Sequence, residues 1–229
     1  MRHQQQRGGR FRRENNNDNN SNSNSSNNNN NGRTATIQHY KSPLPPTILH
    51  RCLQLFVTNM AKLYKDSSWG FNVDEKRKEL EHEGARFLVV LQTSGENDKD
   101  GENGENENPD KASNHTTVLG FAHYRYEPSD DDDDDPPSTC TYLPITYLYE
   151  LQISPSCQSL GLGKQLMTLV ELLSLKAGMK KCMLTVFHAN VGAMKFYQKR
   201  MRYAMDECSP CNFVGMEDCD YEILSKEFS

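Results

Sequence analysis

The stretch YLYELQISPSCQSLGLGKQLMTLVELL, residues 147–173, constrains the fold more than any other part of the chain. An apolar strand runs directly into a glycine-bearing loop, and that loop opens a helix of apolar spacing. Backbone N–H groups at a helix start have no internal partner, so they can donate to an anion, and the helix dipole adds about 0.3–1 kcal/mol. Gly161 and Gly163 let the backbone approach a diphosphate closely and adopt unusual torsions. Lys164 adds a positive charge at the rim. A tight loop that binds nothing would show the same letters, so the loop alone does not decide. Two competing phosphate motifs are excluded. Gly163 and Lys164 are followed by Gln165 and have no glycine five residues before Gly163, unlike a Walker loop. A dinucleotide fingerprint needs a third glycine and a βαβ frame, and neither is present. What remains is QxxGxG, from Gln158 to Gly163.

The rest of the chain shows how much can pack around this segment. Residues 1–33 are arginine, glutamine, serine and above all asparagine, with Phe11 the only bulky apolar side chain after the initiator. Such a composition does not repay the entropy of folding, so residues 1–46 are expected to be a disordered tail and lead-in. The arginines at its start fit a solvated tail better than a nucleic-acid contact. The expected domain covers 47–229, with acidic disordered insertions near 94–115 and 128–139, which also explain the net charge of −5. Within it, helical spacing predicts helices over 47–67, 73–83, 162–177 and 191–199. Strand patterns occupy 86–93, 117–127, 142–153 and 183–187, with strand-like pieces at Tyr203 and 221–224. Pro144, inside the third of these, requires a bend, a bulge or an edge position. Helices at both ends of a run of antiparallel-looking strands imply an α+β layout around one sheet.

There is no run of about 18 apolar residues and no secretory leader, so a soluble intracellular protein with reduced thiols is expected. The seven cysteines are scattered and odd in number, which argues against a disulfide framework. Cys208, Cys211 and Cys219 lack an adjacent fourth ligand, and no metal is expected.

Gln158, Gly161 and Gly163 match the Q/R-x-x-G-x-G/A signature of the GNAT acyltransferases, in that family's position between strand and helix. WGF at 69–71, FAHYRYE at 121–127, YLYELQI at 147–153, GLGK at 161–164, MLTVF at 183–187 and EDCDYEILS at 217–225 extend the likeness. Together they resemble the N-alpha-acetyltransferase D branch, which acetylates the amino termini of histones H4 and 2A. The resemblance covers about residues 47–227. It implies the acyl-CoA N-acyltransferase fold: a single mixed, mostly antiparallel sheet flanked by helices.

The resemblance further implies that coenzyme A, carrying the acetyl group, lies against a splayed strand at Leu151, Gln152 and Ile153. Its diphosphate would rest on Gln158, Ser159, Leu160, Gly161, Leu162, Gly163 and Lys164. Asn190 matches a cofactor-contacting asparagine, although its position would equally suit a helix cap, and Leu151 and Ile153 could be plain core. Tyr64, Trp69, Tyr147, Tyr149, Thr185 and Tyr221 match peptide-binding and orienting positions, and Tyr149 also counts as a catalytic candidate. Glu127 stands where the branch receives the arginine of a Ser-Gly-Arg-Gly terminus, with Ser129 or Asp130 left for the second acidic position. Cys208 replaces a serine of the branch near the cofactor. Tyr197 matches a tyrosine that can protonate the departing thiolate.

Glu150 is the expected base. A carboxylate among tyrosine and leucine is normally excluded from a strand core, so it should face a cleft where an amine can surrender a proton. An α-amino group near pKa 8 needs only a modest base, whereas a lysine near 10.4 costs about 3 kcal/mol more to deprotonate. The expected function is acetyl transfer to the amino terminus of a histone peptide by a monomer in nucleus and cytoplasm, with no membrane and no direct nucleic acid. A lysine or small-amine acetyltransferase, and a histone-tail binding module without turnover, are the alternatives.

Overall fold

The computed structural model describes residues 34–93, 116–127, 144–216 and 218–228. The asparagine tract and both acidic insertions lie outside the described residues, and so do Ser129 and Asp130. Seven strands among the described residues form one sheet: β1 (Thr34–Lys41), β2 (Arg86–Thr93), β3 (Thr116–Glu127), β4 (Ile145–Ile153), β5 (Lys181–Phe187), β6 (Ala204–Met205) and β7 (Tyr221–Glu227). Their order is β1-β2-β3-β4-β5-β7-β6. Every neighbouring pair is antiparallel except β4 and β5, which run parallel. The helices are α1 (Pro46–Lys65), α2 (Val73–Leu80), α3 (Leu162–Lys176) and α4 (Val191–Lys195), the last continuing into a π-helical turn, Phe196–Met201. None of these helices is long and apolar enough to cross a membrane.

Strand periodicity divides the core into two layers. Leu88 and Val90 of β2 point to one face, where they meet Leu166, Met167 and Val170 of α3. Phe87, Val89 and Leu91 point to the other and meet Cys52, Leu53 and Phe56 of α1 and Leu80 of α2. Each fully buried side chain of this size contributes about 1.5–3 kcal/mol by leaving water. Proline in the first turn sets the start of α1. In α2 the side chain of Asn72 accepts from the N–H groups of Asp74 at 3.0 Å and Glu75 at 3.3 Å, with acidic residues in the favourable first turn.

The structure corrects the sequence reading at four places. Thr34–Lys41, left in the disordered lead-in, is the edge strand β1, paired along its whole length with β2. Its side chains are mostly exposed, so the apolar signal that marks a buried strand was missing. Pro144 stands just before β4 and puts no bend inside it. Helix α2 ends at Leu80, short of the expected 83. The helix expected over 191–199 is α-helical only to Lys195, and the π-helical turn then carries Tyr197.

The sheet opens at its centre. Pairing between β4 and β5 covers only Ile145–Leu148 against Lys181–Leu184; beyond that the strands part, leaving Tyr149 to Ile153 opposite no partner in β5. On its other side β4 stays paired with β3 throughout, but with a bulge: His123 faces Glu150 and Tyr124 faces Leu148, so Tyr149 is the extra residue.

Candidate active site

The bulge decides which side chains share the opening. Strict alternation would place Thr146, Leu148, Glu150 and Gln152 on one face. Instead, Thr146 donates to Ser174 Oγ of α3 at 2.7 Å and Leu148 packs in the α3 layer, whereas Glu150 and Gln152 reach α2 and α1 on the opposite face. Tyr149 shares that opposite face. Its ring stacks at 5.0 Å on His123, which stacks at 4.9 Å on Phe87. The extra residue thus places an aromatic ring and a carboxylate side by side where the sheet splits. At the start of the split, the hydroxyls of Tyr147 and Thr185 are hydrogen-bonded across the two diverging strands.

Glu150 does not face solvent; 4% of its side chain is exposed. Lys76 Nζ, from α2, donates to Glu150 Oε1 at 2.7 Å, and Gln152 Nε2 donates to Oε2 at 2.6 Å. Burial pushes the Glu150 carboxyl above its ordinary value, while Lys76 and Gln152 pull it back. Lys76 is itself buried. Burial alone would lower its pKa, but the carboxylates of Glu150 and Glu79 raise it, so it remains an ammonium. Its Nζ also donates to Glu79 Oε1 at 2.7 Å and lies 4.8 Å from the centre of the Phe56 ring. The sequence reading gave α2 no residue in the site and missed Lys76. A buried lysine becomes visible only once the helix is docked on the sheet.

Two cavities meet at the split. The first, about 290 Å³, is walled by Tyr64, Trp69, Tyr147, Tyr149 and Thr185, with Glu150 and Glu79 in its lining. The second, about 590 Å³, runs from Leu151, Gln152 and Ile153 to Gln158, Ser159, Gly161, Gly163 and Lys164. Met60, Leu151, Gln152, Asn190, Ala193 and Tyr197 line both, so the two are joined at the diverging strands. Tyr197 is buried, and burial holds its hydroxyl protonated. Burial also pushes Tyr64 and Tyr149 up to about 12 each.

The remaining expected residues stand apart from the cavities. Leu160 is largely exposed, and Leu162 packs against the α3 core instead of lining the groove. Glu127 and Tyr221 act one contact away: Glu127 Oε1 accepts from Tyr149 Oη at 3.0 Å, and the Tyr221 ring meets Trp69 at 5.1 Å. Asn190 caps α4, its side chain accepting from Ala193 N at 3.2 Å, and it also lines both cavities.

Two groove residues were missed. Asn59 of α1 donates to Gln152 Oε1 at 3.0 Å and to the carbonyl of Ile153 at 3.1 Å, fixing the free edge of β4. Arg200, from the π-helical turn, lines the larger cavity, as Lys164 does.

This groove suits a diphosphate. It ends at the first turn of α3, a helix of 15 residues whose leading N–H groups have no intrahelical partner. Gly161 has φ +88°, and a Cβ built there would meet nothing within 4 Å, so the space before the helix is open.

Residues 102–203 match the model of the acetyltransferase (GNAT) family. The chain carries the GNAT acetyltransferase fold. Among solved structures it is similar to a GNAT-family acetyltransferase from Staphylococcus aureus Mu50, with TM-score 0.53, 12% identity, and coverage of 85% of this chain and 100% of that one. It is also similar to Arabidopsis thaliana NAA60 in complex with acetyl-CoA, with TM-score 0.52, 16% identity, and coverage of 84% and 99%. Ard1 from Thermoplasma volcanium aligns with TM-score 0.51 at 13% identity, covering 85% of this chain and 98% of that one. At these identities the likeness lies in the fold. The parallel pair β4 and β5 is the splayed centre of this sheet, and the QxxGxG stretch from Gln158 to Gly163 forms the loop before α3.

Proposed function

We propose that this chain is an N-alpha-acetyltransferase that moves an acetyl group from acetyl-CoA to the amino terminus of histones beginning Ser-Gly-Arg-Gly. The observation that carries this reading is the junction of an aromatic, carboxylate-bearing cavity with a glycine-lined groove at the split between β4 and β5. Acetyl-CoA supplies an activated thioester carbonyl. The α3 N-terminus, Lys164 and Arg200 hold the diphosphate, while the main chain of Leu151 to Ile153 offers amides, unpaired toward β5, to the charge that develops on the carbonyl oxygen.

Tyr64, Trp69, Tyr147 and Tyr149 wall the smaller cavity and position a short peptide with its amine toward Glu150. Glu150 takes the amine's proton, directly or through a water. Tyr197, common to both cavities and held protonated by burial, is the proposed proton donor to the leaving sulfur. Glu127, tied to Tyr149, offers a carboxylate to the third-position arginine. Residence in nucleus and cytoplasm, and action as a monomer, accompany this proposal.

Incubation with acetyl-CoA and an SGRG peptide, read by mass spectrometry, tests it. The expected product is a single acetyl group on the α-amine. Equal acetylation of a blocked, lysine-containing peptide would favour a lysine acetyltransferase; binding without transfer would favour a silent histone-tail module.

A further inference from the structure

The functional reading leaves one proton unaccounted for. A peptide amine near pKa 8 arrives at neutral pH mostly as an ammonium ion. Converting an ammonium and a thioester into an amide and a thiol releases one proton per turnover: the second amine proton goes to the leaving sulfur, and the first must reach solvent. Glu150, which would receive that first proton, is 4% exposed and has no direct contact with bulk water.

The structure offers an outlet. Lys76 Nζ donates to Glu150 Oε1 and to Glu79 Oε1, each at 2.7 Å, and Glu79, which lines the smaller cavity, is 28% exposed. We propose that Lys76 and Glu79 form the proton exit of this active site: Lys76 passes one N–H proton to Glu79 as it takes the proton from Glu150, and Glu79 releases it to water. Afterwards Glu150 is again a carboxylate and Lys76 again an ammonium, so charge and protons balance. This rests on the acetyltransferase reading and adds two positioning residues that it does not use.

The other titratable groups facing Glu150 do not offer this route. Tyr64 of α1 and Tyr197 of the π-helical turn are held protonated by burial. His123 of β3 is fully buried, and neither ring nitrogen has a hydrogen-bond partner among the described residues; its Nδ1 is 3.7 Å from Glu79 Oε1. Among the described residues, only Lys76 bridges the buried carboxylate to one that reaches solvent.

Lys76→Arg and Glu79→Gln test the idea in the full chain. Arginine keeps the positive charge and the donors but does not give up a proton. A lysine that only props Glu150 would therefore be replaced without loss. The proposal expects K76R and E79Q to keep calorimetric affinity for CoA and for the SGRG peptide while kcat falls about 10- to 100-fold, the low end for proton-transfer groups. Added imidazole should restore part of the E79Q rate and none of the E150Q rate. Wild-type kcat in K76R, or a raised KM with unchanged kcat in E79Q, overturns the relay. Should K76R misfold, E79Q with imidazole rescue decides alone. A wild-type chain that transfers no acetyl group sinks the functional reading first, a result distinct from either variant's failure.

Discussion

The two halves of the β4–β5 seam differ sharply although they belong to the same pair of strands. Where Ile145–Leu148 pairs with Lys181–Leu184, Leu148 and Leu184 pack in the α3 layer and Thr146 meets Ser174 in a buried hydrogen bond. A few residues on, the strands separate, and apolar filling gives way to Glu150, Lys76, Gln152 and Asn59 linked end to end. The paired half supplies stability. The open half spends some of it, because charged groups are kept from water so that backbone and carboxylate face a cavity.

The widest separation between the halves should come from Glu150→Gln. It keeps the shape and one acceptor oxygen but removes the base, so kcat should fall about 10²–10⁴-fold with peptide affinity largely retained. A loss confined to KM would make Glu150 a binding group. Leu148→Ala in the paired half should act first on stability, costing about 2–5 kcal/mol in denaturant unfolding.

Gly120→Ala lies between the two. A Cβ there would come within 2.8 Å of the Gln152 carbonyl oxygen and 2.7 Å of Ile153 Cδ1, so β4 must shift at its open end. About 1–3 kcal/mol of destabilisation and weaker CoA binding should appear together; a change in one alone would mean that the open edge is not held from β3.

The smallest effect concerns acid. Burial, then Arg125 and Lys76, holds His123 well below its ordinary pKa, so the unfolded chain gains a proton that the folded chain refuses. Stability should therefore decline as pH falls below about 6.5, by up to about 1.4 kcal/mol per pH unit from this one group. His123→Phe, which keeps the stack between Phe87 and Tyr149, should flatten that slope; an unchanged slope would place the acid sensitivity elsewhere.

How far the sequence shows this arrangement depends on which interactions set it. β2 is read with its true bounds, and α3 differs by one residue, because their apolar spacing is local and unbroken. The loop Gln158 to Lys164 is legible for the same reason, its glycines being demanded by the chain itself. β1 escapes notice because an edge strand with exposed side chains needs no apolar pattern. The bulge at Tyr149 and the burial of Lys76 are set by partners distant in sequence, β3 and the docked α2, and no spacing within β4 or α2 announces them.

The central claim is that acetyl-CoA lies in the open half of the seam and leaves the paired half untouched. Hydrogen exchange by mass spectrometry, with and without acetyl-CoA, addresses it most directly. The account predicts added protection of backbone amides over 149–165 and none over 145–148. Protection spread evenly along β4, or none near the loop before α3 at saturating ligand, would contradict it.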